Sequence, residues 1–230
     1  GGSALYAAME AVLNKARPIA AQMLQADQDT IEYISGEFRV RATGQSVGIL
    51  DVAAAARNPK ISGVGGLDSY ERREDAPFTF PSGCHVAEVE IDQYTGQLQL
   101  VRYLLVDDYG RQINPKLTEG QVHGGVVQGI GQAILENVIY DPNSGQLLNG
   151  TWMDYAMPRA DQVPPFEIYF RQTLTSANPL GVKGAGQAGC MAAPQTIMSA
   201  VLDALKPLEI TDLDMPVTPE RLWRAIRKAL

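Results

Sequence analysis

The sequence has little of what metal-holding and nucleophilic chemistry uses. Of its 230 residues, two are histidine and two are cysteine. A metal ion held by side chains usually takes three or four ligands, and His85 and His123 fall in no H-x₃-H or H-E-x-x-H spacing. A metal bound by this chain's own side chains is therefore not expected. Cys84 and Cys190 lie far apart with no C-x-x-C pair. They could bridge, but such sparse usage fits buried free thiols in a reducing compartment better. Basic charge is also short: 19 Lys and Arg against 26 Asp and Glu leave a net charge of -7, with no cluster that would follow a nucleic-acid backbone. No apolar run nears the ~20 residues that span a bilayer. No signal-peptide pattern opens the chain, and neither a G-x-S-x-G elbow nor a P-loop occurs. These absences predict a cytoplasmic protein without a membrane span or a nucleic-acid partner. The chain begins at Gly1, without an initiator methionine, and enters a helical pattern at once, which leads us to expect a piece of something longer.

What remains is an ordinary globular composition, 45% hydrophobic and 20% charged, with 22 glycines that are dense in two stretches. Apolar residues at three- and four-residue spacing predict a helix over 3–24, interrupted or kinked near Pro18. Thr30–Ile34 and Glu37–Arg41 joined through Ser35-Gly36 read as a small hairpin, and Ile49–Ala56 as a short helix. Residues 58–77 read as a polar, Gly-rich connection. The strongest strand signal is His85–Asp92, which turns through Tyr94-Thr-Gly and returns over Gln97–Val106. Asp107 and Asp108 are expected to leave that sheet as a polar loop. Helices are predicted over 120–138, 192–205 and 219–230, the last capped by Thr218 with Pro219 at its first position, and a strand over 166–174. Helices mixed with antiparallel strands, without a strict βαβ rhythm, make the fold class α+β. The chain reads as a single 230-residue portion of a domain that divides into lobes near residue 80.

Two segments can bring a ligand near the backbone. Gly184–Gly189 matches the string G-x-G-x-x-G, but a dinucleotide-binding fingerprint needs a strand running into the glycines and a helix starting at once. Asn178-Pro179 precedes the loop, Pro194 is expected to delay the helix, and too little chain follows for further parallel strands. A structural turn and an anion- or cofactor-cradling loop both remain open. The second segment opens with Gln121 and His123 and carries Gly124, Gly125, Gly129 and Gly131; interior glycines cost roughly 1 kcal/mol each in a helix and usually make room for a neighbour. Glu88, Glu90 and Asp92 alternate on one strand face and read as solvated.

The ordered motifs Val-Glu-Ile-Asp-x-x-Thr-Gly (89–96), Val-Asp-Asp-x-Gly-x-x-Ile-Asn-Pro (106–115), Gly-Gln-Val-His-Gly-Gly-Val-Val-Gln-Gly-Ile-Gly-Gln-Ala (120–133), Asp-Tyr-Ala-Met-Pro (154–158), Asn-Pro-x-Gly-Val-Lys-Gly-x-Gly (178–186) and Asp-Met-Pro-Val-Thr-Pro-Glu-Arg-Leu-Trp (214–223) carry more information. Together they resemble the C-terminal part of the molybdopterin-binding large subunit of the molybdenum hydroxylases, the family of xanthine dehydrogenase, aldehyde oxidoreductase and aerobic carbon monoxide dehydrogenase. The resemblance implies a molybdenum–molybdopterin cofactor, in bacteria usually the cytosine dinucleotide form, and hydroxylation of a small-molecule substrate with water-derived oxygen. It also implies partners: the remaining part of the molybdopterin subunit, an Fe–S subunit with two [2Fe–2S] clusters, and an FAD subunit. By position, Gln121 matches a glutamine that contacts the pterin, and Gly184, Gly186 and Gln187 lie in the loop that passes the metal. One departure stands out. The family has its general-base glutamate where this chain has Gln187, and a neutral amide accepts no proton at useful pH. The sequence leaves three readings: a branch in which Gln187 hydrogen-bonds substrate or a metal-bound oxygen, an inactive paralogue or cofactor-free scaffold, or an introduced change.

Overall fold

The computed structural model describes residues 1–58, 65–74 and 77–230. The connection over 58–77 thus lies partly outside the described residues. The chain forms two compact units, Gly1–Pro77 with Asn178–Leu180, and Phe78–Ala177 with Gly181–Leu230.

In the first unit, helix α1 (Gly2–Leu24) runs on through Pro18 rather than being interrupted there. It ends where Gln25 adopts a left-handed conformation (φ 49°) and its N–H reaches back to the last carbonyls. Strands β1 (Ile31–Ile34) and β2 (Glu37–Val40) form the predicted antiparallel hairpin. Its two-residue turn puts Ser35 and Gly36 at φ 51° and 90°, the left-handed pair whose twist suits tight hairpins. A third strand, β3 (Ser46–Gly48), pairs with β2 and leads into helix α2 (Ile49–Ala56). The strand is three residues long, too short for alternation to register in the sequence. Ala16, Ile19 and Ala20 of α1, Ile31 and Phe38 of the sheet, and Val52 and Ala56 of α2 make the core.

The second unit is built on a sheet of order β4-β5-β6. Strands β4 (Ser82–Ile91) and β5 (Leu98–Asp108) are antiparallel, and β6 (Phe166–Arg171) runs parallel to β5. The turn between β4 and β5 is organised by Asp92, whose carboxylate accepts from Tyr94 N at 2.8 Å and Thr95 Oγ1 at 2.9 Å. Gly96 in that turn has φ 74°, and a Cβ there would lie 2.1 Å from Pro219 O. The Asp-x-x-Thr-Gly motif is thus a structural corner under the last helix, α5 (Pro219–Ala229). Thr218 and Pro219 take the expected cap and first helical positions.

Helix α3 (Pro115–Ile134) begins five residues before the predicted start and ends four before the predicted end. Asn114 caps it by accepting from Leu117 N at 3.2 Å, and Pro115 is the N1 residue. Its end is fixed from outside, because Val217 N donates to Ala133 O at 2.7 Å. Helix α4 (Ala188–Leu205) starts at Ala188, with Pro194 inside it rather than delaying it. Tyr103, Leu105, Val122, Val126, Ile130, Ile197, Val201, Leu222 and Ile226 form the second core, between the sheet and helices α3, α4 and α5.

Candidate functional site

The site grows from the end of β5. Asp107 and Asp108 are the last residues of that strand, not part of a loop, and both are buried. Successive strand residues point to opposite faces, so the two carboxylates serve different neighbourhoods.

Asp108 organises the glycine-rich loop. Its Oδ1 accepts from Gly110 N at 2.8 Å and Thr173 N at 3.1 Å, and its Oδ2 takes the Lys183 ammonium at 2.9 Å. Both side chains of the ion pair are largely buried, 14% exposed for Lys183 and 12% for Asp108. Burial works against the charged form, but the hydrogen bonds from Lys183, Gly110 and Thr173 outweigh it, so the Asp108 carboxyl is held well below the ordinary carboxylate range. Backbone pairing completes the clamp: Lys183 N donates to Tyr109 O at 2.9 Å and Arg111 N to Gly181 O at 3.0 Å. The strands approach so closely that a Cβ on Gly110 would sit 2.2 Å from Gly181 O.

Beyond this clamp the loop runs past α3. Gln121 Nε2 donates to Gly186 O at 2.6 Å, which joins two of the residues singled out from the sequence. Gln187 is the N-cap residue of α4, yet its side chain does not cap the helix; it is exposed and has no hydrogen-bond partner among the described residues. The structure therefore gathers Gln121, Gly186 and Gln187 on one exposed rim. Gly184 follows Lys183 directly, and a Cβ on it would lie 3.4 Å from Thr79 O. Because α3 starts at Pro115, Gln121 and His123 stand in its second and third turns and do not open it, as the sequence suggested. His123 is satisfied locally, with Nδ1 near Glu119 O at 2.9 Å and its ring against Phe166.

The glycines divide into two groups. A Cβ on Gly189 would lie 2.7 Å from Val126 N, and one on Gly129 would lie 2.7 Å from Ala193 Cβ. These, with Gly125, let α3 and α4 cross almost backbone to backbone. At Gly120, Gly124 and Gly186 a Cβ would meet nothing within 4 Å. The rim around Gln121 thus leaves open space over its backbone, and Gln121 Oε1 and the Gln187 amide provide hydrogen-bonding groups there. That arrangement fits a flat polar ligand.

On the other face of β5 lies a group that sequence reasoning passed over. His85 Nδ1 is 2.8 Å from Tyr103 Oη, and its Nε2 is 3.1 Å from Asp107 Oδ1. Tyr109 Oη donates to Asp107 Oδ2 at 2.5 Å. The hairpin register held the signal: His85 pairs across with Leu105, so Tyr103 and Asp107 are its diagonal neighbours on the same face. Cys84, next along the strand, is exposed rather than buried, Cys190 is half-buried, and both are free. Glu88 and Glu90 are exposed, as a solvated strand face requires; Asp92 is exposed too, but it lies past the end of β4, in the turn it organises rather than on the strand. Among the described residues, no group of three or more His, Cys, Asp or Glu is placed to hold a metal ion. No helix among them is long and apolar enough to cross a membrane. The G-x-G-x-x-G string is no dinucleotide fingerprint: a helix does follow at once, but β6 ends at Arg171 and no strand leads into the glycines.

Comparison with known proteins decides the relationship. A family profile described as the molybdopterin cofactor-binding domain matches residues 1–164. The chain belongs to that family. It is 36% identical over 228 residues to the gamma subunit of the 6-hydroxypseudooxynicotine dehydrogenase complex of Paenarthrobacter nicotinovorans, covering 97% of this chain and 28% of that protein. It is 32% identical over 229 residues to the carbon monoxide dehydrogenase large chain of Hydrogenophaga pseudoflava, covering 99% of this chain and 28% of the other. Among solved structures, reconstituted CO dehydrogenase from Oligotropha carboxidovorans superposes with a TM-score of 0.92 at 29% identity, over 100% of this chain and 29% of that one. The resemblance to molybdenum hydroxylases read from the motifs is borne out, and so is the mixed α+β architecture. The chain spans little more than a quarter of the length of these relatives.

Proposed function

We propose that this chain forms one wall of the molybdopterin site in a cytoplasmic, multi-subunit molybdenum hydroxylase. In this reading Gln121 contacts the cofactor, the Gly184–Gly189 loop lines the metal, and Gln187 faces it. The single observation that carries the assignment is the bond from Gln121 Nε2 to Gly186 O, which ties the two motif-matched segments together and leaves the Gln187 side chain exposed beside it. The cofactor, in its cytosine dinucleotide form, supplies the two-electron chemistry of hydroxylating a substrate carbon with water-derived oxygen. Partner subunits with [2Fe–2S] clusters and FAD take the electrons, and the rest of the large subunit closes the site. This chain's own contribution is geometric. Asp108 and Lys183 hold the loop's start, Gln121 holds its middle, and the crossing of α3 and α4 sets the spacing between Gln121 and Gln187.

Two substitutions test this in the natively assembled protein. Gln121→Leu removes one partly solvated hydrogen bond and should cost about 1 kcal/mol in stability. Elemental analysis should nevertheless show molybdenum per chain falling by about tenfold or more, as when a group orienting a metal site is lost. Unchanged molybdenum would remove Gln121 from the cofactor site. Gln187→Glu should raise turnover, by up to about 10²–10⁴-fold, because it restores a proton acceptor where the amide has none. Turnover that falls in this variant would mean that the amide itself is the working group.

A further inference from the structure

The buried cluster at the end of β5 is not used by the function proposed above, and a cleft of about 270 Å³ opens onto it. Gly83 and His85 of β4 and Asp107 of β5 form one side, and Ala188, Met191 and Ala192 of α4 form the other. The His85 and Asp107 side chains are only 3% and 4% exposed. Among the described residues the walls contain no lysine or arginine, and Lys183 is engaged by Asp108 on the opposite strand face.

The hydrogen bonds in the cluster have a direction. Burial first, with the Asp107 carboxylate adding to it, pushes Tyr103 and Tyr109 above the ordinary phenol range, although a hydrogen bond with Thr196 works the other way at Tyr103. Both phenols therefore keep their protons as donors. Tyr109 donates to Asp107 Oδ2, and His85 Nε2–H donates to Oδ1. A carboxylate offers about four acceptor sites, and among the described residues each Asp107 oxygen takes one donor, which leaves acceptor capacity on both. Gly83 is the second observation. Its φ is ordinary, yet a Cβ there would lie 2.0 Å from Asp107 Oδ1. Glycine is required at 83 because the carboxylate occupies the space that a side chain would take.

We propose that this cleft binds a small planar N–H donor, of the amidinium or protonated heteroaromatic class, with the Asp107 carboxylate as its acceptor. Such a ligand satisfies the remaining acceptor sites with charge-assisted hydrogen bonds, and its faces lie against Ala188, Met191 and Ala192. The volume admits about one ring, below the range of drug-sized pockets. The small side chains at 188 and 192 are what leave room for it. The proposal of a binding site rests on these residues alone; identification of its ligand with a hydroxylase substrate would rest on the function proposed above.

The test is calorimetric titration of the natively assembled protein with 2-aminopyridine in mildly acidic buffer, where the probe is a flat cation with adjacent N–H donors. Toluene serves as the ring without a donor. The expected result is saturable one-site binding of 2-aminopyridinium and none of toluene. Asp107→Asn should weaken it by about tenfold or more, as expected for a lost charge-assisted hydrogen bond. Ala192→Leu fills the cleft without touching the Asp107 network and should abolish binding, which keeps the test open if Asp107→Asn fails to fold. No saturable binding, equal binding of toluene, or undiminished binding in the Ala192→Leu protein would overturn the proposal. Because the readout is binding alone, it can fail while molybdenum content and turnover stand, and the reverse also holds.

Discussion

Gly189→Ala is expected to destabilise the protein by about 2–3 kcal/mol, measured as a shift in urea midpoint at unchanged slope. The new methyl would stand 2.7 Å from Val126 N and 2.9 Å from Val122 O. Both are backbone atoms inside α3, so no side chain can rotate away and the helices must separate. The same contact seen from α3 is close but less extreme: a Cβ on Gly125 would lie 3.1 Å from Cys190 N. Gly186→Ala, three residues earlier and just before α4, should stay within about 0.5 kcal/mol of the parent, because its Cβ meets nothing within 4 Å and its backbone is not left-handed. The contrast between neighbouring glycines is the useful readout. Equal effects would mean that the α3–α4 crossing is looser than described. Since Gln121 stands on α3 and Gln187 leads α4, separating these helices also pulls the site apart.

Asp108→Asn is the second large effect, at about 2–4 kcal/mol at neutral pH, because it leaves the Lys183 ammonium mostly buried without its counter-charge. Its pH dependence has a definite sign. Asp108 is held below its unfolded value, so its stabilisation is fully present above the unfolded carboxyl pKa of about 4 and is lost as pH falls through the folded value. The stabilities of parent and variant should therefore converge in strong acid. Urea unfolding of both proteins at descending pH checks this, and a gap that stays constant below about pH 4 would show that the loss is steric rather than electrostatic. Lys183 lies one residue before Gly184, so the same variant should loosen the loop that carries Gln187.

The elements that the sequence made legible are those with strong local chemistry. Thr218-Pro219 announces a helix start by cap and fixed φ, and Tyr94-Thr-Gly announces the β4–β5 turn. Boundaries failed where tertiary partners decide them. Asn114-Pro115 carries the same cap-and-proline signal as Thr218-Pro219, and it sets the start of α3 ahead of the glycine-rich stretch 120–131. Pro194 is tolerated in α4, where its ring packs against Gly129. Asp107 and Asp108 look like loop residues until their partners are known: Lys183 and Thr173 lie far along the chain, and His85 comes from the neighbouring strand. The glycines could be counted but not sorted, since open space at 186 and a helix backbone at 189 are both written as glycine. Residue identity singled out Gln121, Gly184, Gly186 and Gln187 only through resemblance to a known arrangement of motifs, and their place at a cofactor is the proposal made above. Spacing alone left the loop undecided between a structural turn and a cradle.

The most direct test of the central claim is anomalous diffraction at the molybdenum edge from crystals of the natively assembled enzyme. The account predicts one strong peak per chain, about one side-chain length from the Gln187 amide and on the rim where Gln121 meets Gly186. A molybdenum peak elsewhere, with Gln187 and Gln121 facing only solvent or protein, would contradict it.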